Sequence, residues 1–182
     1  QVKVYVSKIE LGQKGGPVIL LSRSHYGFVK RLLEIEVPEL NDGTVMLYSV
    51  ARDAGSITKI AVYTEYNNVD PIGAVIGEKG RRIAAVLKEL NGEKIDVILY
   101  DKDPVKFITN ALSPAKDIKV TIKDENKKGA LAVVGDDNLS LAIGKRGQNV
   151  KLASRLTHYK IEVKSQSAVN EENAEEVEAS EK

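Results

Sequence analysis

Two short stretches of this 182-residue chain carry the residue types and spacing that point most directly to chemistry. They are Ile76-Gly77-Glu78-Lys79-Gly80 and Ile143-Gly144-Lys145-Arg146-Gly147, 67 residues apart. Each follows a short apolar run and opens an amphipathic helical pattern. A glycine turn at a helix start lets the backbone approach a phosphate closely, and its N–H groups with the helix dipole favour negative charge. That chemistry is capture of a sugar-phosphate chain, with no bond made or broken. Lys79, Arg81, Lys145 and Arg146 can add positive charge, and Gln148 and Asn149 extend the second candidate site into its helix. Ile76, Ile83, Ile143 and Val150 are placed to line an apolar groove under bases. The loops differ in charge, since Glu78 stands where the second has Lys145; an acid facing phosphate weakens binding, so the second loop is expected to carry more of the salt-dependent affinity.

Other chemistries fit less well. The Gly-x-x-x-x-Gly-Lys-Ser/Thr phosphate loop and the Gly-x-Gly-x-x-Gly dinucleotide loop are both missing. His25 and His158 fall near helix ends and read as surface or partly packed residues. Asp136-Asp137 reads as a strand end and helix cap, so no metal or cofactor site is expected. Nine tyrosines and phenylalanines lack the strand pattern of an aromatic RNA platform, which favours an aliphatic groove. The alternative for both glycine turns is a structural connector flanked by solvated charges.

The elements that must position these loops repeat. A helix carrying Tyr26, Val29, Leu32 and Leu33 is capped by Ser24 in this reading and stops by Pro38 and Gly43. Strands follow at Val45–Ala51 and Ile57–Tyr63. Asp70-Pro71 starts a short helix to Ile76; the glycine turn, a helix with Ile83, Val86, Leu87 and Leu90, and the strand Lys94–Tyr100 complete a unit. Asp103-Pro104 begins a second unit of the same order. Its first strand alternates Ile118, Val120 and Ile122 with lysines and threonine. A short helix from Asn138 reaches Ile143, and a helix with Val150, Ala153 and Leu156 leads into the strand Lys160–Lys164. The fold class is therefore α+β, each unit an α/β sandwich with a three-stranded sheet and helices on one face. Units of about 65 residues are marginal alone, so rigid packing of the two is expected. Before them, Val2–Val6 and Val18–Leu21 read as strands of a domain cut off by the start of a fragment.

Composition permits a nucleic-acid partner without demanding one. Residues 1–164 hold 26 basic and 20 acidic side chains, whereas residues from Ser165 onward hold six glutamates and one lysine. The acidic end is expected to be disordered. There is no cysteine, which removes thiol chemistry and fits a reducing, cytoplasmic compartment. No apolar run approaches a membrane span.

The helix–turn–helix with Gly-x-x-Gly between its helices resembles the KH signature, in the order of the prokaryotic type II fold. Asn67–Ala74, Asn110–Lys116 and Leu139–Val150 resemble the NusA family of bacterial transcription factors over about residues 1–165. The resemblance implies the end of an OB-fold domain at 1–23, a first KH domain at 24–101, a second at 102–165 and an acidic tail at 166–182. It implies a monomeric single-stranded RNA binder, each KH clamp holding about four nucleotides and the pair about eight if the path is continuous. The implied partners are nascent transcripts, ribosomal-RNA leader sequences, RNA polymerase and other antitermination factors, with a role in pausing, termination and antitermination and no enzymatic step. Two other classes stay open: the RNA-binding appendage of a processing enzyme such as polynucleotide phosphorylase, and a protein-interaction module with idle loops.

Overall fold

A computed structural model describes residues 1–180, with side chains through Glu175. Residues 1–97 form one compact unit and Ile98 opens a second. The first begins with an antiparallel hairpin, β1 (Tyr5–Leu11) and β2 (Pro17–Ser22). The expected strand at Val2–Val6 thus starts later and runs further, because pairing continues to Leu11 opposite Pro17 at the glycine-rich turn.

Next come α1 (Tyr26–Glu36), α2 (Pro38–Asn41), β3 (Met46–Asp53), β4 (Ile57–Tyr63), α3 (Pro71–Ile76), α4 (Arg81–Glu89) and β5 (Lys94–Leu99). The sheet order is β3-β4-β5. Phe28, Val29, Leu32 and Leu33 on one stripe of α1 are buried with Ile60 and Val62 of β4, Val75 of α3 and Val86 of α4. Each such side chain contributes about 1.5–3 kcal/mol. Pro38 stops α1 by forcing Val37 to an extended φ of −121°, since the residue before proline is kept out of the helical region.

The cap of α1 differs from expectation. His25, not Ser24, stands at the N-cap, and its Nδ1 accepts from Gly27 N–H at 3.0 Å. Ser24 N–H instead donates to Ser22 Oγ at 3.2 Å, which moves the helix start one residue on. The Asp-Pro signals hold: Asp70 Oδ1 accepts from Ile72 N–H, and Asp103 Oδ1 from Val105 N–H.

The second unit repeats the plan with α5 (Pro104–Ala111), β6 (Lys119–Asp124), β7 (Gly129–Val134), α6 (Leu139–Ile143), α7 (Gln148–Thr157) and β8 (Lys160–Ser165). Its sheet order is β6-β7-β8, antiparallel then parallel. Val120 is buried while Lys119 and Thr121 are exposed, as the alternation requires. Phe107, Ile108, Leu152 and Leu156 are buried on the two packed helices α5 and α7.

The acidic end departs from expectation. Gln166–Ser180 is a helix, α8, rather than a disordered tail; Glu181 and Lys182 lie outside the described residues. Alanine and glutamate are strong helix formers even without an apolar stripe. Its first turns are also tied down: Ser167 Oγ donates to Asp136 Oδ1 at 2.9 Å, and Lys164 Nζ donates to Glu172 at 2.6 Å. Among the described residues, no helix is long and apolar enough to cross a membrane.

Candidate nucleic-acid interface

The two glycine turns have nearly the same backbone. Gly77, Lys79 and Gly80 have φ of 74°, 52° and 74°, and Gly144, Arg146 and Gly147 have 74°, 55° and 73°. One non-glycine residue per turn is thus held in the left-handed region, a costly conformation kept in both units. Gly77 N–H donates to Gly73 O at 2.8 Å and Gly80 N–H to Gly77 O at 3.0 Å, with equivalent bonds at Gly144 and Gly147. The glycine amides therefore point inward. Among the described residues, the N–H groups of Glu78, Lys79, Lys145 and Arg146 have no backbone acceptor, so the two central residues are the ones able to meet an anion.

The glycines of each pair do different work. A Cβ on Gly77 would lie 2.6 Å from Arg82 Cγ, and one on Gly144 would lie 2.7 Å from Asn149 Cβ and 2.8 Å from its backbone N. The first glycine makes room inside the protein. A Cβ on Gly80 would meet nothing within 4 Å, and one on Gly147 only the flexible end of Lys151 at 3.6 Å. The second glycine therefore faces open space, where a ligand backbone fits.

Arg82 and Asn149 occupy matching positions and hold the turn from behind. Arg82 Nη1 donates to Ala74 O at 2.7 Å and to Glu39 Oε2 at 2.8 Å. Asn149 Nδ2 donates to Leu112 O, Leu141 O and Ala142 O at 3.1, 3.2 and 3.0 Å. Asn149, a candidate contact in the sequence, is buried, and its side chain holds the loop from behind. Arg82 was not among the sequence candidates, although its 67-residue spacing from Asn149 is a readable signal.

The remaining candidates lie around each turn. Lys79, Arg81, Lys145 and Arg146 are exposed, Gly77, Gly80, Gly144, Gly147 and Gln148 are partly exposed, and Ile83, Ile143 and Val150 are half-buried. Ile76 is 37% exposed, enough to present an apolar edge.

Electrostatically the turns are unequal. Glu78 pairs with Arg81 at 3.0 Å, and Glu39 with Arg82 at 2.8 Å. Glu36, Glu39 and Glu78 share a cleft of about 590 Å³ with Gly77 and these arginines. Two of the first turn's cations, Arg81 and Arg82, thus have acid partners, while Lys79 has none among the described residues. Among the described residues, no acid pairs with Lys145, Arg146 or Lys151. Lys151 Nζ lies 3.4 Å from Arg146 O, a third cation missing from the candidates and standing where the first unit has Ala84.

A buried network fixes the first unit at the far end of α1. Arg52 and Glu93, 5% and 1% exposed, pair through two bonds of 2.8 Å. Glu93 also accepts from Gly55 N–H and from Thr58 Oγ1, and Arg52 Nη1 donates to the carbonyls of Arg23 and His25 at 2.8 Å. Burial pushes the Glu93 carboxyl up, but its bonds to Arg52, Thr58 and Gly55 outweigh this and hold it below the usual glutamate range. Lys59 is fully buried; burial pushes its ammonium down and Asp96, at 2.9 Å, partly restores it.

Comparison with known proteins gives the same two units. Residues 23–100 match the family described as NusA-like first KH domain, and residues 104–171 the NusA-like second KH domain. The transcription termination/antitermination protein NusA of Bacillus subtilis is 52% identical over 171 residues, covering 94% of this chain and 46% of that protein. The protein of that name from Halalkalibacterium halodurans is 51% identical, with 94% and 44% covered. That from Thermus thermophilus is 49% identical, with 88% and 41% covered. The chain thus spans less than half the length of these curated relatives. In fold, it is similar to the crystal structure of APE1850, with a TM-score of 0.52 at 23% identity, covering 75% of this chain and 96% of that one.

Proposed function

The chain belongs to the NusA family through its tandem KH domains, and on that premise we propose that it binds single-stranded RNA as part of a transcription factor acting in termination and antitermination. The observation that carries this reading is the matched pair of turns. Each has its first glycine packed against the interior, its second glycine open, and two central N–H groups without a backbone acceptor. Such a turn holds an RNA backbone by shape and charge, while Ile76, Ile83, Ile143 and Val150 offer the apolar ground for splayed bases. The mechanism is capture and positioning, with no chemical step.

The second turn is the stronger electrostatic clamp, because Lys145, Arg146 and Lys151 are unpaired whereas Glu78 and Glu39 neutralise arginines at the first. Nascent transcripts, including ribosomal-RNA leaders, are the substrates this reading assigns. RNA polymerase and other antitermination factors are partners of the complete factor, a cytoplasmic monomer. The uncovered apolar side chains of the hairpin, with Ile9 66% and Leu11 83% exposed, support its being the close of an OB-fold barrel.

The test is titration of a labelled single-stranded RNA against the wild type and the Lys145→Asp/Arg146→Asp variant, with circular dichroism as the fold control. Each lost contact on a single strand lowers the dependence of log K on log salt by about 0.7, so the double variant loses about 1.4 in slope. An unchanged slope and affinity would remove the reading.

A further inference from the structure

At the N-terminus of α1 three aromatic rings form a stack that the KH turns do not use. The Tyr5 ring lies 5.0 Å from the His25 imidazole at an interplanar angle of 9°, and His25 lies 4.5 Å from the Tyr26 ring at 29°. Tyr26 is 55% exposed. Nothing else among the described residues is seen to pair with its ring or hydroxyl. A structural plug would bury its last ring, and this stack instead presents it to solvent.

The stack is held in place from three directions. His25 Nδ1 accepts from Gly27 N–H, which fixes the imidazole at the cap. Arg52, locked by Glu93, holds the His25 carbonyl at 2.8 Å. A Cβ on Gly27 would lie 2.5 Å from the Tyr5 ring, so glycine is retained in a helical first turn, despite its cost there, to let Tyr5 approach. The surroundings are basic and apolar. Lys30, exposed, lies one turn along α1 from Tyr26. Lys3 and Arg31, the latter paired with Glu34 at 2.6 Å, line a cleft of about 470 Å³ beside Tyr5, with Phe28 and Ile35.

We propose that the Tyr5–His25–Tyr26 stack is a third RNA contact, a platform on which one nucleobase stacks against the open part of the Tyr26 ring while Lys30 meets its phosphate. The inference rests on the RNA-binding reading above. Aromatic faces accept any base, and a positively charged rim tracks the backbone. The helix geometry places the platform about 15 Å along α1 from Glu36, which borders the first turn's cleft. The base it takes therefore belongs to a nucleotide outside the about four held by that turn.

The experiment compares Tyr26→Ala, Tyr26→Phe and Lys145→Asp/Arg146→Asp in the full chain, titrating a single-stranded RNA longer than one clamp's footprint. In parallel, RNA carrying a photoreactive uridine is crosslinked and the modified peptide mapped. Expected are an affinity loss of about 5- to 100-fold for Tyr26→Ala, near wild-type affinity for Tyr26→Phe, and crosslinks on Tyr26. Because Tyr26 is half in solvent, thermal unfolding should be unchanged. If the loop variant loses affinity while Tyr26→Ala binds as wild type and no crosslink maps to Tyr26, the platform is overturned and the RNA-binding reading stands. If neither variant changes binding, both fall.

Discussion

Within each Gly-x-x-Gly turn the two glycines answer to different constraints, and substitution separates them. Gly144→Ala drives a methyl into the Asn149 backbone at 2.8 Å, in a conformation that only glycine adopts readily. We expect it to lower stability by more than the roughly 1–3 kcal/mol of backbone strain alone. Gly147→Asn keeps a left-handed residue and meets only Lys151, so it should cost less than about 1 kcal/mol while still weakening RNA binding. Thermal unfolding beside RNA titration distinguishes the two. Glu93→Gln tests the buried network in the same assay: it leaves Arg52 a buried cation without its anion, and about 3–5 kcal/mol should be lost. The carboxyl is held below its ordinary value of 4.5. Its stabilisation is therefore present above that value and lost as pH falls through the lower folded value. The wild-type first unit should weaken in acid, and the glutamine variant should lack that component. Sequence reading found the turn residues because glycine spacing and charge are local. The burial of Asn149 was not legible, since the Leu112, Leu141 and Ala142 carbonyls that its amide bonds are brought together only by the fold.

Elements were legible where a local signal starts or stops them. Asp70-Pro71 and Asp103-Pro104 set their helices as expected, and the strand alternation of Lys119–Asp124 matches the burial found. The cap at His25 was not legible, because it depends on Ser22 taking the Ser24 N–H and on Tyr5 stacking from another element. The helix α8 was missed because its polar surface carries no periodicity, whereas its formation follows from composition and from ties to Asp136 and Lys164. Those ties are solvent-exposed and of little energetic weight. Deleting residues 170–182 should leave the unfolding midpoint nearly unchanged and RNA affinity at low salt as in the full chain. A clear gain in affinity on deletion would instead mark the glutamates as competitors for the basic face. Between the turns themselves, Glu78→Lys should convert the first into a copy of the second. It frees Arg81 and adds a cation, raising both affinity and the steepness of its salt dependence by roughly 0.7–1.4 in log–log slope.

For the molecule as a whole, the repeat itself was the most legible feature. Two units of one plan, each turning its Gly-x-x-Gly outward, follow from the 67-residue spacing and match the two NusA-like KH domains. What spacing does not reveal is the difference in how the units neutralise their own charge, because Glu39 of α2 reaches Arg82 of α4 only in the folded unit. The RNA-binding proposal turns on capture of a single strand chiefly through the unpaired cations of the second turn. Salt-dependent titration from about 50 to 200 mM of one RNA against Lys145→Asp/Arg146→Asp and the matching Lys79→Asp/Arg81→Asp variant tests it most directly. The second-turn variant is expected to lose more affinity and about twice the slope of the first-turn variant, with both folded. Equal losses, or a greater loss from the first turn, would contradict it.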